Sequence, residues 1–233
     1  LMRSSAASDV YKRQGNAYAM SDASGLVKFT NIPVGDYALI EVKAPTGHAL
    51  DKTPHFFSIV KGSQTDAVVN VGNVVNYETL SDNAIAKSVK TEGATGVNWT
   101  VTTDLPANIA TYQKYEIVDP VPNQVTLASN SIAVKATKES AEALTLTKGE
   151  DYTLTIDSAN TNKFTVALTA AGMEKVVGYE ALEITFSSTI NEGAVLGQVT
   201  NTATLNAIAE EGEPFTDAVS YTHLRAHETK ANL

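Results

Sequence analysis

The sequence predicts an all-β protein built from two tandem β-sandwich domains, of which the first is short. Short runs rich in Val, Ile, Thr and Tyr recur along the chain, and Gly, Pro, Asn and Asp separate them. This alternation of strand-forming and turn-forming residues is typical of sandwiches. The 233 residues are 43% hydrophobic, which is enough to fill a core, and none is a cysteine. Disulfides and thiolate metal sites are therefore excluded, and stability must have another source.

The charge pattern and the motifs argue against several classes of partner. The formal net charge is -9, and Lys and Arg are scattered rather than gathered in a basic stripe, so nucleic acid is not an expected partner. No apolar run approaches the roughly 20 residues of a membrane helix, so this fragment is not expected to insert into a membrane. No cofactor motif occurs. His223 and His227 have the spacing of zinc ligands on a helix, but they lie in a terminal stretch interpreted as an artefact, so no metal site is predicted.

The sequence indicates four segments. Residues 1–14 and 219–233 lack strand alternation and turn chemistry, and they resemble translated sequencing-adapter peptides found at the edges of open reading frames from metagenomic assemblies. Both ends are interpreted as artefacts and excluded from the predicted fold. Residues 15–79 form the first predicted domain and residues 80–218 the second. The boundary is placed in the polar, turn-forming stretch 76–84, where the strand pattern breaks.

Strands account for almost all of the predicted structure. Each combines β-branched or aromatic residues with flanking turn residues. In chain order they lie within residues 25–42, 67–77, 85–89, 96–104, 115–121, 131–136, 151–157, 163–168, 181–190 and 199–207. Only residues 169–178, TAAGMEKVVG, have helical propensity without alternation, and they predict one short helix.

The alternation of side chains along a strand places three polar residues on predicted core faces. Lys87 shares a face with the apolar residues at 85 and 89, Asp119 with those at 115 and 117, and Asn201 with those at 199, 203 and 205. A single polar residue in such a position usually satisfies a backbone group. An amine, a carboxyl group and an amide in one domain instead favour chemistry among the three.

That chemistry is an amide cross-link. Burial disfavours charge, so it raises the pKa of a carboxyl group and lowers that of an amine. A neutral Lys87 could attack the side-chain amide of Asn201 while Asp119 polarises the oxygen and shuttles protons, with ammonia as the leaving group. Lys90 is the rival amine, but its alternation places it on the opposite face. Because the reaction happens once and within one molecule, the protein is not predicted to be an enzyme.

Three stretches of the second domain resemble the isopeptide-forming domain of Gram-positive fimbrial proteins. They are DNAIAKSV at 82–89, WTVTTDLPANIATYQKYEIVDPV at 99–121 and STINEGAVLGQVTNTATL at 188–205. That family has a lysine on an early strand, an aspartate after a Tyr-x-Ile run and an Asn-Thr-Ala near its end. The resemblance places these on Lys87, Asp119 and Asn201, and it implies a bond between the first and last strands of the domain. Trp99 is assigned to the core because it shares a face with the residues at 97 and 101.

The first domain resembles the second half of a prealbumin-like repeat of the collagen-adhesin B type. The resemblance rests on GLVKFTNIPVGDYALIEVKAPTGH at 25–48, in which Glu-x-Lys-Ala-Pro-x-Gly matches the glutamate box of that family. It implies Glu41 as the acid and Asn76 as the amide acceptor, with Asn73 less favoured. The first-strand lysine of the repeat is expected upstream of Gly15. The first of the two tandem Ig-like or prealbumin-like sandwiches is therefore expected to be truncated, and unable to form its own bond.

Together the resemblances imply a structural subunit or stalk of a cell-surface pilus, extracellular and anchored to the cell wall. They imply other pilin subunits, joined by a sortase, as partners. Backbone pilins carry a Tyr-Pro-Lys-like motif near the end of the first domain, whereas VVNYETLSDN at 74–83 contains no lysine. An accessory pilin or adhesin that binds a host surface ligand is therefore one alternative. A carbohydrate-binding β-sandwich is another, and it requires exposed aromatic side chains on one sheet face.

Overall fold

The regular structure of the chain is almost entirely antiparallel β-sheet, which confirms the predicted all-β class. The computed structural model describes residues 17–45, 47–61, 69–195, 199–210 and 214–222. The chain divides into two compact units between Thr79 and Leu80.

The described part of the first unit contains one two-stranded antiparallel sheet. Strand β1 (Gly35–Leu39) pairs with β2 (His55–Ile59), and Tyr37 lies opposite Phe57 with the ring centroids 5.6 Å apart. The strand β2 was not among the predicted strands. Conversely, residues 69–77 form no strand, because Gly72 adopts a φ of 104° and donates its N–H to the Asn70 side chain, which turns the chain out of the extended conformation.

The second unit is a sandwich of two antiparallel sheets. Six strands form one sheet in the order β3-β4-β11-β7-β8, with β6 also paired to β11, and five form the other in the order β13-β12-β5-β10-β9. The strands are β3 (Ile85–Glu92), β4 (Gly96–Asp104), β5 (Lys114–Pro120), β6 (Val125–Leu127), β7 (Ala133–Thr137), β8 (Leu144–Thr145), β9 (Tyr152–Ile156), β10 (Lys163–Leu168), β11 (Ala181–Ile190), β12 (Thr200–Ile208) and β13 (Phe215–Thr222).

The core lies between the two sheets and follows the alternation of each strand. Inward-facing residues are mostly apolar and outward-facing ones mostly polar, with Thr the commonest, as the period of two requires. Trp99 is 1% exposed, which confirms its assignment to the core. The largest fully buried side chains are Trp99, Tyr115, Phe164, Ile109, Ile117, Leu182, Ile184, Leu205, Val97, Val101 and Val121.

One edge of the sandwich brings the two sheets together. Strand β3 is the edge of the six-stranded sheet, and it contacts β12 and β13 of the five-stranded sheet. Residue 87 therefore belongs to one sheet, whereas residues 119 and 201 belong to the other. The side chains at these positions can meet only across the interface between the sheets.

The last described strand differs from the prediction. Asn201 lies on β12, which is followed by β13, so the expectation that it lies on the last strand of the domain was wrong. The sequence pattern assigns residues 219–222 to the carboxy-terminal artefact. In the structure, Val219 and Tyr221 continue the inward alternation of β13 and pack against the core. Residues 223–230, which include His223 and His227, lie outside the described residues.

The predicted short helix is present as α1, Ala170–Lys175. A close contact with the backbone of a neighbouring turn fixes its position. Thr169 caps its amino terminus by accepting the N–H of Gly172 at 3.0 Å. A Cβ atom added to Gly172 would lie 1.8 Å from the carbonyl oxygen of Asp151, so only glycine fits. The buried Asp151 also accepts from Lys175 at 2.6 Å, which ties the helix to the turn before β9. Within the described ranges, no helix is long and apolar enough to cross a membrane.

We expect Gly172→Ala to destabilise the second unit. A methyl group would collide with backbone rather than with a flexible side chain, and such overpacking costs about 1–3 kcal/mol or more, which outweighs the roughly 1 kcal/mol gained in helix propensity. Urea unfolding measures the difference. Ala171→Ser, on the exposed face of the same helix, is the matched control and should change the free energy of unfolding by less than about 1 kcal/mol. A Gly172→Ala protein as stable as the control would contradict the close contact.

Candidate cross-linking site

A lysine and an aspartate meet in the core of the second unit. Lys87 faces inward from β3, and Asp119 is the last inward residue of β5, directly before Pro120. The side chains of both residues are 0% exposed, and Lys87 Nζ donates to Asp119 Oδ2. The alternation of side chains along β3 and β5 directs both residues into the core. Two of the three residues that the sequence predicted for the site therefore meet there. Lys90, the rival amine, is exposed.

Asn201 completes the group from β12. It is 0% exposed, and neither atom of its side-chain amide has a hydrogen-bond partner among the described residues. It nevertheless lies beside Asp119, since it is one of the groups that lower the pKa of that carboxyl. Asp119 Oδ1 is also without a partner of ordinary geometry in the described part of the chain. Buried polar atoms without partners cost about 1–3 kcal/mol each, so this cluster is unstable relative to a state in which they are satisfied.

Burial controls the electrostatics of the pair. It raises the pKa of Asp119, although Lys87 and Asn201 oppose the shift. It also lowers the pKa of Lys87 to about 8, against the attraction of Asp119. Both shifts favour the neutral forms, an un-ionised acid and a free amine. The two groups interact too strongly to titrate separately, so near neutral pH the pair holds a proton that either partner can carry.

Aromatic rings line the amine. Lys87 Nζ lies 5.3 Å from the centroid of the Trp99 ring and 5.6 Å from that of Phe186. The indole N–H of Trp99 donates to the hydroxyl of Ser188 at 2.8 Å. Sequence reasoning missed Ser188, although a signal existed, because it is the one polar residue in the inward row 182, 184, 186 and 188 of β11. These rings shield the amine from water, and Asp119 is the one charged group in the described part of the chain that acts on its pKa.

The same three functional groups also meet on the surface of the second unit. Lys114 Nζ lies 2.6 Å from Glu116 Oε1, and the Asn206 amide donates to that oxygen at 3.3 Å. The Lys114 side chain is 40% exposed and the Glu116 side chain is 20% exposed. This surface trio matches the core trio in chemistry and differs from it in solvent exposure.

The first unit brings together Glu41 and Asn76. The Asn76 amide donates to Glu41 Oε2 at 2.6 Å and to the carbonyl oxygen of Ala49 at 3.0 Å, and the N–H of Asp51 donates to the same carboxylate oxygen at 2.9 Å. Asn73, the less favoured acceptor, is exposed. Glu41 Oε1 and Asn76 Oδ1 are buried without hydrogen-bond partners among the described residues. The stretch upstream of Gly15, where the lysine of this unit is expected, lies outside them.

The part of the chain that the structure describes contains no group of three His, Cys, Asp or Glu side chains that could hold a metal ion.

Comparison with known proteins gives a match in the first unit. Residues 5–74 match the model of the SpaA family, described as a prealbumin-like fold domain. A comparison with curated proteins found no match.

Two solved structures that are similar to most of the chain are those of major pilins. BcpA, the major pilin subunit of Bacillus cereus, is 20% identical with a TM-score of 0.64, over 88% of this chain and 59% of that one. The full-length major pilin SpaD of Corynebacterium diphtheriae is 22% identical with a TM-score of 0.53, over 88% of this chain and 50% of that one. This chain thus spans between half and three fifths of these pilins. Residues 5–74 are thus similar to a prealbumin-like domain, and most of the chain shares its fold with parts of these two pilins.

Proposed function

We propose that this chain is part of a structural subunit of a cell-surface pilus, and that an autocatalytic isopeptide bond between Lys87 and Asn201 closes its second unit. The observation that carries the proposal is the fully buried contact between Lys87 and Asp119, with the unpartnered amide of Asn201 beside the same carboxyl. A core seldom holds an amine, an acid and an amide unless they act together.

The reaction uses only atoms of these three side chains. The free amine of Lys87 attacks Cγ of Asn201 while the un-ionised carboxyl of Asp119 donates a hydrogen bond to the amide oxygen. Asp119 then transfers a proton from the attacking nitrogen to Nδ2 of Asn201, and the C–N bond to Nδ2 breaks. One C–N bond forms, one breaks, and one ammonia leaves. The N–H and the C=O of the new amide would both hydrogen-bond to Asp119. Asp119 Oδ1 and the amide oxygen of Asn201, which lack partners in the unlinked protein, would then be satisfied.

The bond would fasten one sheet of the sandwich to the other. Residues 87 and 201 lie on β3 and β12, which belong to different sheets, and about 114 residues separate them. By the chain-entropy argument developed for disulfides, closing a loop of that size stabilises the folded state by about 4–5 kcal/mol. An amide also survives reducing conditions, so it supplies in a chain without cysteine the covalent stability that disulfides provide elsewhere.

The pilus assignment draws on both units. The SpaA-type domain match and the fold shared with major pilins support a subunit that is displayed on the cell wall and joined by a sortase to other pilin subunits. Within the described residues of the second unit, the exposed large apolar side chains are Val177 and Val195, so no aromatic platform for sugar binding supports the carbohydrate-binding alternative. In the first unit we assign Glu41 as the acid and Asn76 as the acceptor for an amine.

The mass of the purified full chain tests the bond directly. We expect it to be lower than the sequence mass by one ammonia, and we expect digestion to yield a branched peptide joining Lys87 to Asn201. The surface trio is an internal control: the Lys114 side chain is 40% exposed to water, so Lys114 and Asn206 should stay unlinked. A mass equal to that of the sequence would refute the proposal.

Replacement of the acid should separate folding from bond formation. We expect Asp119→Asn to keep the size of the side chain and to retain the full sequence mass, because no acid remains to move protons. Its free energy of unfolding should fall by about 4 kcal/mol as the loop constraint is lost. Glu116→Gln in the surface trio is the matched control, and it should lose ammonia and change stability by less than about 0.5 kcal/mol. Loss of ammonia in Asp119→Asn would mean that another residue is the acid.

The rate of bond formation should have a maximum between acidic and alkaline pH. The reactive state needs one proton on the pair, with the amine free and the acid protonated. Below the raised pKa of Asp119 the pair holds two protons and the amine is blocked, so the rate falls with decreasing pH. As pH rises through about 8, the lowered pKa of Lys87, the pair loses its last proton and the rate falls again.

This profile can be measured by refolding the full chain from denatured inclusion bodies into buffers of different pH and by following the loss of ammonia by mass spectrometry. The denatured starting material must have the full sequence mass. A rate that kept rising with pH beyond the upper limb would show that the reaction does not need the protonated acid.

A further inference from the structure

Strand β11 carries a polar residue where its alternation calls for an apolar one. The inward row of this strand is Leu182, Ile184, Phe186 and Ser188, and Ser188 is 3% exposed. Its hydroxyl accepts the indole N–H of Trp99 at 2.8 Å. Trp99 lies opposite Phe186 across the β4–β11 ladder, so Ser188 is a diagonal neighbour on the same face of the sheet.

Trp99 in turn forms one wall around the reactive amine. Its ring stacks on Phe186 with the centroids 6.1 Å apart and an angle of 14° between the planes, and the ring of Tyr221 meets it edge-on at 6.4 Å. Lys87 Nζ lies over the Trp99 ring, 5.3 Å from the centroid. Packing against Phe186 and Tyr221 sets the position of the indole. The hydrogen bond to Ser188 sets the orientation of the ring at that position.

We propose that Ser188 is a positioning residue for the cross-linking reaction: by holding the indole of Trp99 through its N–H, it keeps the Lys87 amine aimed at Asp119 and Asn201. This inference rests on the proposed function of the core trio. A four-carbon lysine side chain has many rotamers, and the aromatic wall restricts them to those that place Nζ at the carboxyl. Loss of that restriction would slow the reaction, because a misplacement of about 1 Å can lower a reaction rate roughly 100-fold.

A purely structural role for Ser188 would have a different consequence. A hydroxyl that only satisfied the buried indole N–H would contribute to stability, but it would not affect the reaction once the protein was folded. Of the charged groups in the described residues, only Asp119 acts on the pKa of Lys87. The remaining contacts of the amine include the faces of Trp99 and Phe186, which favour its charged form. A loosened indole changes both these contacts and the burial that lowers the pKa of Lys87, so it should shift the upper limb of the pH–rate profile.

The test compares Ser188→Thr with Ser188→Val in the full chain, because these side chains have the same shape and differ in the hydroxyl group. Each variant is refolded from the denatured state, and the loss of ammonia is timed across pH. We expect the threonine variant to react close to the wild-type rate. We expect the valine variant to react about tenfold more slowly, with the upper limb of its pH–rate profile shifted from that of the wild type. Folding is followed separately by far-ultraviolet circular dichroism, so that slow folding is not mistaken for slow chemistry.

A second pair of variants tests whether Ser188 acts through the indole. In a Trp99→Phe background the N–H is absent, so the difference between threonine and valine at position 188 should vanish. Equal rates and equal pH profiles for the two variants in the wild-type background would overturn the inference. So would a difference of the same size in both backgrounds. Failure of the wild-type chain to lose ammonia would instead refute the cross-link itself, which keeps the two outcomes distinct. If neither variant at 188 folds, a Trp99→Phe protein with wild-type rate and profile would overturn the inference.

Discussion

The buried contact between Lys87 and Asp119 is the constraint on which the rest of the second unit depends. Removing two charges from water often costs more than their attraction returns, so stability alone does not explain why such a pair is buried. The shifted pKa values show the same pressure, since burial pushes both groups toward their neutral forms. An apolar core of two full sheets holds the pair in place. The proposed bond would turn this local instability into a stabilising link, because an amide has no charge to bury.

The surface trio differs from the core trio in its surroundings rather than in its functional groups. Lys114, Glu116 and Asn206 provide the same amine, acid and amide, and two of their contacts are as close as hydrogen bonds. Water, however, reaches these groups, since the Lys114 side chain is 40% exposed and the Glu116 side chain 20% exposed. What distinguishes the core trio is the enclosure of Lys87 by Trp99 and Phe186. The aromatic wall is therefore as much a part of the site as the groups that would react.

Alternation along strands was sufficient to predict the fold class and the inward direction of Lys87, Asp119 and Asn201, because a period of two assigns each residue to a face regardless of topology. It could not reveal which residues meet across the two sheets. Ser188 was missed for that reason, since its importance depends on Trp99 in a neighbouring strand. The loss of the strand expected at 67–77 has a local cause in the positive φ of Gly72. Strand β13 was missed because its last residues, 219–222, resemble an artefact, although their alternation suits the core.

The position of Asn201 on β12 determines which part of the sandwich a cross-link could protect from tension. With a bond between Lys87 and Asn201, force that enters along β3 would pass directly to β12, so the strands from β4 to β11 would lie within the closed loop and carry no load. Strand β13 lies beyond the loop and is held to β12 by its ladder, from the pair Thr200–Thr222 to the pair Ala207–Phe215. It is also in contact with β3, the other strand at this edge. Strand β13 would therefore be the mechanical weak point of the linked unit, because hydrogen bonds rather than the covalent link hold it to β12.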